Sequence, residues 1–148
     1  YVMKRKLALL FIFFILAGCQ LNEQETEHPI LTETSSDSTI SQSVANQAVN
    51  TVLQREEVIR ANAVNTDKLL LLAFEVEQFE RFNLKSIEKK IKKQLNKEFK
   101  DVEVVVSYDP KIMLEIEKLQ TKLESNEIDT KKFKKETKRI VKLKREKT

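Results

Sequence analysis

Cys19 is the one cysteine and His28 the one histidine of this 148-residue sequence. Those two counts remove most catalytic arrangements before any fold is considered. A lone cysteine forms no internal disulfide. His28 lies beside Pro29 in a polar, acidic stretch, where no partner would be fixed in space. Neither a metal site nor a Ser-His-Asp or Cys-His arrangement can be built around it, and we read it as a solvated residue. Among the carboxylates, Glu75 and Glu77 stand two apart in "AFEVEQ", the spacing that puts both on one face of a strand, with Glu80 and Glu103 as candidate neighbours. Paired carboxylates divide acid and base roles in glycoside cleavage, so this pair defines one enzymatic alternative, a peptidoglycan hydrolase. The plainer reading is the wet face of an amphipathic strand, because a small domain without glycine offers little for a deep cleft. No glycine follows Gly18, which excludes glycine-rich phosphate loops. Thus no catalytic, cofactor or metal residue is assigned.

Charge is the remaining chemistry. Lys89, Lys90, Lys92, Lys93 and Lys97 crowd one segment, and a second basic run occupies 130–145. Together they suit a polyanion, either nucleic acid or an anionic membrane surface. Acids interspersed in both segments favour ordinary solvated faces, with weak lipid contact as the sharper alternative.

The surroundings of Cys19 are more specific. Lys4, Arg5 and Lys6 precede twelve uncharged residues, 7–18. That is a charged start and an apolar run of secretory-signal length, shorter than the roughly 20 residues a transmembrane helix needs. Met3 is read as the initiator. The run ends Leu16-Ala17-Gly18-Cys19, which resembles the lipobox of bacterial lipoprotein precursors. The resemblance implies that 1–18 is a signal peptide. Cys19 would be thioether-linked to diacylglycerol, would become the first residue after cleavage, and would often be N-acylated. Two or three acyl chains hold firmly where one anchors only marginally. An exported protein leaves no role for nucleic acid.

Charge also marks the segments. Residues 1–18 carry +3, residues 19–54 carry five acids and no base, residues 55–109 carry eleven of each sign, and residues 110–148 carry +6. Residues 19–42 are acidic and rich in Ser and Thr, so they cannot bury enough apolar surface to order themselves and read as a disordered tether. What remains, 43–148, is one small domain with a modest core.

Within it, Val44, Ala48 and Val52 suit a short leading helix. "EEVIRANAV" and "KLLLLAFEVEQF" read as two strands around a turn at 65–67. Leu84, Ile87, Ile91, Leu95 and Phe99 form a helical stripe after Asn83 as N-cap. "VEVVVSY" is a third strand. Asp109 and Pro110 open the next helix, and Phe133, Ile140 and Val141 face inward from a last basic helix, 130–145. The order β-β-α-β-α-α predicts an α+β two-layer sandwich: a three-stranded, mainly antiparallel sheet with helices on one face. Phe74, Phe79, Phe82 and Phe99 are most simply core, and an exposed Phe79 or Phe82 would point to a partner site.

The stretch from Asn65 to Phe99, followed by Val104-Val105-Val106-Ser107-Tyr108-Asp109-Pro110-Lys111, resembles the YhcN/YlaJ-type sporulation lipoproteins of endospore-forming bacilli. The resemblance implies a small lipoprotein at the spore or forespore inner membrane, acting in spore formation or germination, with no known chemical activity. The expectation is therefore a non-enzymatic protein anchored through Cys19 on the extracytoplasmic face. It would bind a protein partner or the membrane–cortex boundary. A general envelope adaptor unrelated to spores is the other non-enzymatic alternative.

Overall fold

Residues 69–74 run Leu-Leu-Leu-Leu-Ala-Phe, and all six are buried. A strand that is apolar on both sides must be covered on both faces, and this one sits at the centre of the sheet. The computed structural model describes residues 40–146. In chain order these form α1 (Ser43–Leu53), β1 (Val58–Thr66), β2 (Leu69–Val76), a 3-10 turn (Gln78–Asn83), α2 (Leu84–Glu98), β3 (Glu103–Ser107), α3 (Pro110–Glu124) and α4 (Thr130–Glu146). The sheet order is β1-β2-β3. The α+β class expected from the sequence holds. The segment read as a signal peptide, 1–18, and all but the last three residues of the expected tether, 19–42, lie outside the described residues.

Two finer expectations are corrected. The sheet is mixed, with β1 and β2 antiparallel but β2 and β3 parallel, Leu69 opposite Glu103 through Ala73 opposite Ser107. A parallel return requires a crossover, which α2 supplies. The helices also lie on both faces, not one. Leu70, Leu72, Phe74 and Val76 pack with Ala45, Ala48 and Val52 of α1 and Ile87, Ile91 and Leu95 of α2. Leu69, Leu71 and Ala73 pack with Ile112, Met113, Ile116 and Leu119 of α3 and Phe133, Ile140 and Val141 of α4. Three layers result. The odd-numbered face of β2, expected to be wet, is a second core.

Local chemistry sets the joints. Asp109 caps α3, accepting from the Lys111 N–H at 2.7 Å with Pro110 in the first turn. The helix ends at Asn126, which takes φ 56°. The Glu127 N–H reaches the Lys122 carbonyl and the Asn126 N–H the Leu123 carbonyl, a Schellman closure with asparagine in the place glycine usually fills. Asn83 precedes α2 but its side chain does not cap it; the amide donates to Glu80 instead, at 2.9 Å.

Asn65, expected in the turn, belongs to β1 and is buried. The strand continues to Thr66, so the turn is the pair Asp67 and Lys68. Gln42 pairs with the outer edge of β1: its Oε1 accepts from the Asn65 N–H at 3.0 Å and its Nε2 donates to the Asn65 carbonyl at 2.9 Å. The Asn65 side chain in turn accepts from the Ala45 N–H and donates to the Ser41 carbonyl, both at 3.0 Å. Residues 40–42 are thereby part of the fold. Further along the same edge, Gln120 donates to the Ala63 carbonyl. These side-chain amides occupy an edge that would otherwise be open to pairing with another chain.

Candidate functional site

Cys19 and His28 lie outside the described residues. Glu75 and Glu77, the carboxylates proposed as a catalytic pair, have different partners. Glu75 sits on the α3 side of β2 beside Arg60, at 3.4 Å. Arg60 also binds Glu117, which accepts from Asn62 at 2.8 Å. Glu77 lies past the last residue of β2, is exposed, and uses its backbone N–H to bond the Glu57 carbonyl. Glu80 accepts from Asn83. Glu103 pairs with Arg145 at 2.6 Å, and since it stands opposite Leu69 it is six residues along the sheet from Glu75, about 20 Å. Among the described residues no cluster of three or more His, Cys, Asp or Glu could hold a metal.

The two lysine-rich helices, read from sequence as one basic surface, lie on opposite faces of the sheet and differ in how their charges are used. In α4, six of nine basic side chains are ion-paired. Lys134 reaches Asp67 in the β1–β2 turn at 2.6 Å, Arg145 reaches Glu103, and Lys144 reaches Glu88 of α2 at 3.2 Å, clasping the sheet edge from the far face. Arg139 binds Glu115 of α3 and, at 2.7 Å, Glu136. Lys132 and Lys142 pair locally with Asp129 and Glu146. The Arg139 guanidinium holds the Glu115 carboxyl below its usual range, and Arg139 itself is raised by the same contact. Asp129 precedes α4 and accepts from the Lys132 N–H at 2.9 Å; that backbone bond pulls its carboxyl down.

In α2 the opposite holds. Ile87, Ile91 and Leu95 are buried, and Lys85, Lys89, Lys90, Lys92, Lys93 and Lys97 are all exposed. None of the six is ion-paired among the described residues. The helix's two acids are used elsewhere, Glu88 by Lys144 and Glu98 by the Thr51 hydroxyl. Lys85, Lys89, Lys93 and Lys97 follow one another at four-residue steps, stacking like charges on consecutive turns. Each such pair costs about 0.2–0.5 kcal/mol. The helix tolerates this because its inward stripe is fully packed. A shallow groove of about 560 Å³ runs beside it, lined by Arg55, Lys90, Lys93, Gln94, Lys97 and Glu98. Arg55 is fixed there by Glu57 and by Gln94 at 3.1 Å. The Glu57 carboxyl is lowered by its own backbone N–H and then by Arg55.

The 3-10 turn runs directly into α2. Phe74 and Phe99 join the core as expected, but Phe79 and Phe82 do not: they are 90% and 96% exposed. Three-residue spacing eclipses side chains on a 3-10 turn, so the two rings share a side. The signal available in the sequence was "QFERFN", two phenylalanines embedded in polar residues with no continuation of either apolar stripe. The outward face of α2 is thus net basic and ends in two exposed aromatics.

A family model described as Sporulation lipoprotein YhcN/YlaJ matches residues 20–142. No curated protein and no solved structure matches the chain.

Proposed function

The chain belongs to the YhcN/YlaJ family of sporulation lipoproteins, and from that premise we propose that it is a non-enzymatic binding protein, lipid-anchored through Cys19 at the extracytoplasmic face of the spore or forespore inner membrane. Its α+β domain engages an anionic partner or surface at the membrane–cortex boundary, in spore formation or germination. The observation that carries this reading is the uncompensated lysine face of α2. A helix bearing six exposed lysines with no paired acid is less stable than the same helix with mixed charge, and binding an anion removes that repulsion. The roughly 20 Å between Glu75 and Glu103 argues in the same direction, because retaining and inverting hydrolases need two carboxyl groups within about 5–10 Å across one cleft.

The test combines location and anchoring. Immunoblots of membrane fractions from growing cells, sporulating cells and purified spores are expected to find the protein in sporulating cells and spores. Cys19→Ala is expected to move it to the soluble fraction and to impair spore formation or germination. Protein abundant in growing-cell membranes would refute the spore assignment, and normal spores carrying fully released protein would refute the need for the anchor.

A further inference from the structure

We infer that Phe79 and Phe82 form a membrane-insertion wedge, and that with the lysine face of α2 they dock the domain flat on an anionic bilayer. This rests on the anchored reading above and adds the surface and the partner to it.

Four observations converge. First, the two rings are the most exposed large apolar side chains among the described residues, at 90% and 96%, against 53% for Ile59 and 47% for Leu114. Two phenylalanines left in water on one side of a short turn are costly unless something covers them. Second, the turn is continuous with α2. Carried back from Leu84 at three residues per turn, both rings fall on the outward side of the helix, the side that bears Lys85 and Lys89. Third, the stretch 77–98 is net basic, with seven bases against four acids, and Glu88 is ion-paired away from the surface. Glu98 is held by Thr51, and Glu80 by Asn83. Lysines that ring an apolar wedge can lay their stems along the acyl boundary and their ammonium groups among headgroups. Fourth, the reach is sufficient. Twenty residues lie between Cys19 and Ile40, a span of at most about 70 Å, about twice the ~30 Å thickness of three packed layers. A tethered domain therefore meets the bilayer at high effective concentration. A protein partner would also accept a basic, aromatic face. The bilayer is favoured because the anchor already places it within reach and because the exposed surface combines paired aromatics with a net basic charge.

The sequence contains no tryptophan, so Phe82→Trp in the full lipidated chain makes a single-site reporter, with Phe79→Trp as a second. The proteins are reconstituted on vesicles of phosphatidylcholine alone or mixed with phosphatidylglycerol, with and without brominated acyl chains. A blue-shifted emission quenched by the brominated lipid, on phosphatidylglycerol only and reversed by salt, is the expected result. In the background Lys89→Gln, Lys93→Gln and Lys97→Gln, docking is expected to weaken on the order of 100-fold. Emission that stays unshifted on phosphatidylglycerol overturns the wedge. So does emission already shifted without vesicles, which would mean that the rings are covered by the chain itself or by a second copy. Flotation with phosphatidylcholine vesicles reads the anchor alone, so failure of the wedge and failure of the anchored reading are told apart.

Discussion

Two helices of nearly equal length and similar composition serve opposite ends in this fold. α4 carries nine basic side chains and secures six of them to carboxylates on α3, β3, α2, the β1–β2 turn and its own flanks. α2 carries six lysines and secures none among the described residues. In one helix charge is an assembly device, and in the other it is left facing outward at a small cost in stability. Basic composition alone does not distinguish these uses; the placement of the acids does.

The sharpest division concerns the aromatic residues. Phe133 of α4 is completely buried, whereas Phe82 is almost completely exposed. Phe133→Ala is expected to destabilise the fold by about 3–5 kcal/mol, and Phe82→Ala to stay within about 0.5 kcal/mol. Urea unfolding followed by circular dichroism measures both. Similar costs would erase the proposed difference between a structural helix and a surface-presenting one.

A second comparison holds the charge change constant. Replacing Lys89, Lys93 and Lys97 by glutamine should lower affinity for phosphatidylglycerol vesicles by about 3 kcal/mol, taking about 1 kcal/mol per lysine near the surface. Replacing Lys132, Lys134 and Lys142 removes the same three charges and should change that affinity far less. Equal losses in a sedimentation assay would mean that net charge, not the α2 face, governs the interaction.

The ion pairs of α4 also predict a pH dependence. Glu115 has a carboxyl lowered from an ordinary value of 4.5 by Arg139. A lowered carboxyl contributes stability that is complete above the unfolded-state value and is lost as pH falls through the folded one. Glu115→Gln should therefore cost about 1 kcal/mol near neutrality, and the gap from the unaltered protein should close as pH falls below the ordinary 4.5 and through the lowered folded value. A gap that persists in acid would assign the effect to packing. The smallest change has the opposite sign. Lys93→Gln relieves two like-charge neighbours at four-residue steps and should stabilise the fold by about 0.4–1 kcal/mol, measurable as a higher urea midpoint.

Much of this arrangement was legible in the residues. The helix stripes, the Asp109–Pro110 start and the valine-rich third strand were each written locally, and the structure places them as expected. The number of layers was not found because Leu70, Leu72, Phe74 and Val76 alternate so regularly that they masked the unbroken run 69–74. That run, buried on both sides, was the better signal. Asn65 is a turn residue by type, yet its side chain bonds Ala45 of α1 and Ser41 just before it, 20 and 24 residues away in sequence. Such a partner has no local signature. The free lysine face was hidden by arithmetic: eleven bases and eleven acids sum to zero over 55–109, and only the helical phase and the distant partners Lys144 and Thr51 reveal that Glu88 and Glu98 turn away. Phe79 and Phe82 read as core from sequence because phenylalanine usually belongs there.

The bond pair between Gln42 and Asn65 has a mechanical consequence. In an anchored protein, any drag on the domain is borne by the chain that joins it to the lipid, and that load enters the fold at residues 40–42. There it meets the edge of the sheet, gripped by the Gln42 amide and by the Asn65 side chain on the Ser41 carbonyl. A pull is thus shared among several bonds at once and passed to β1, so that α1 is not peeled away one turn at a time.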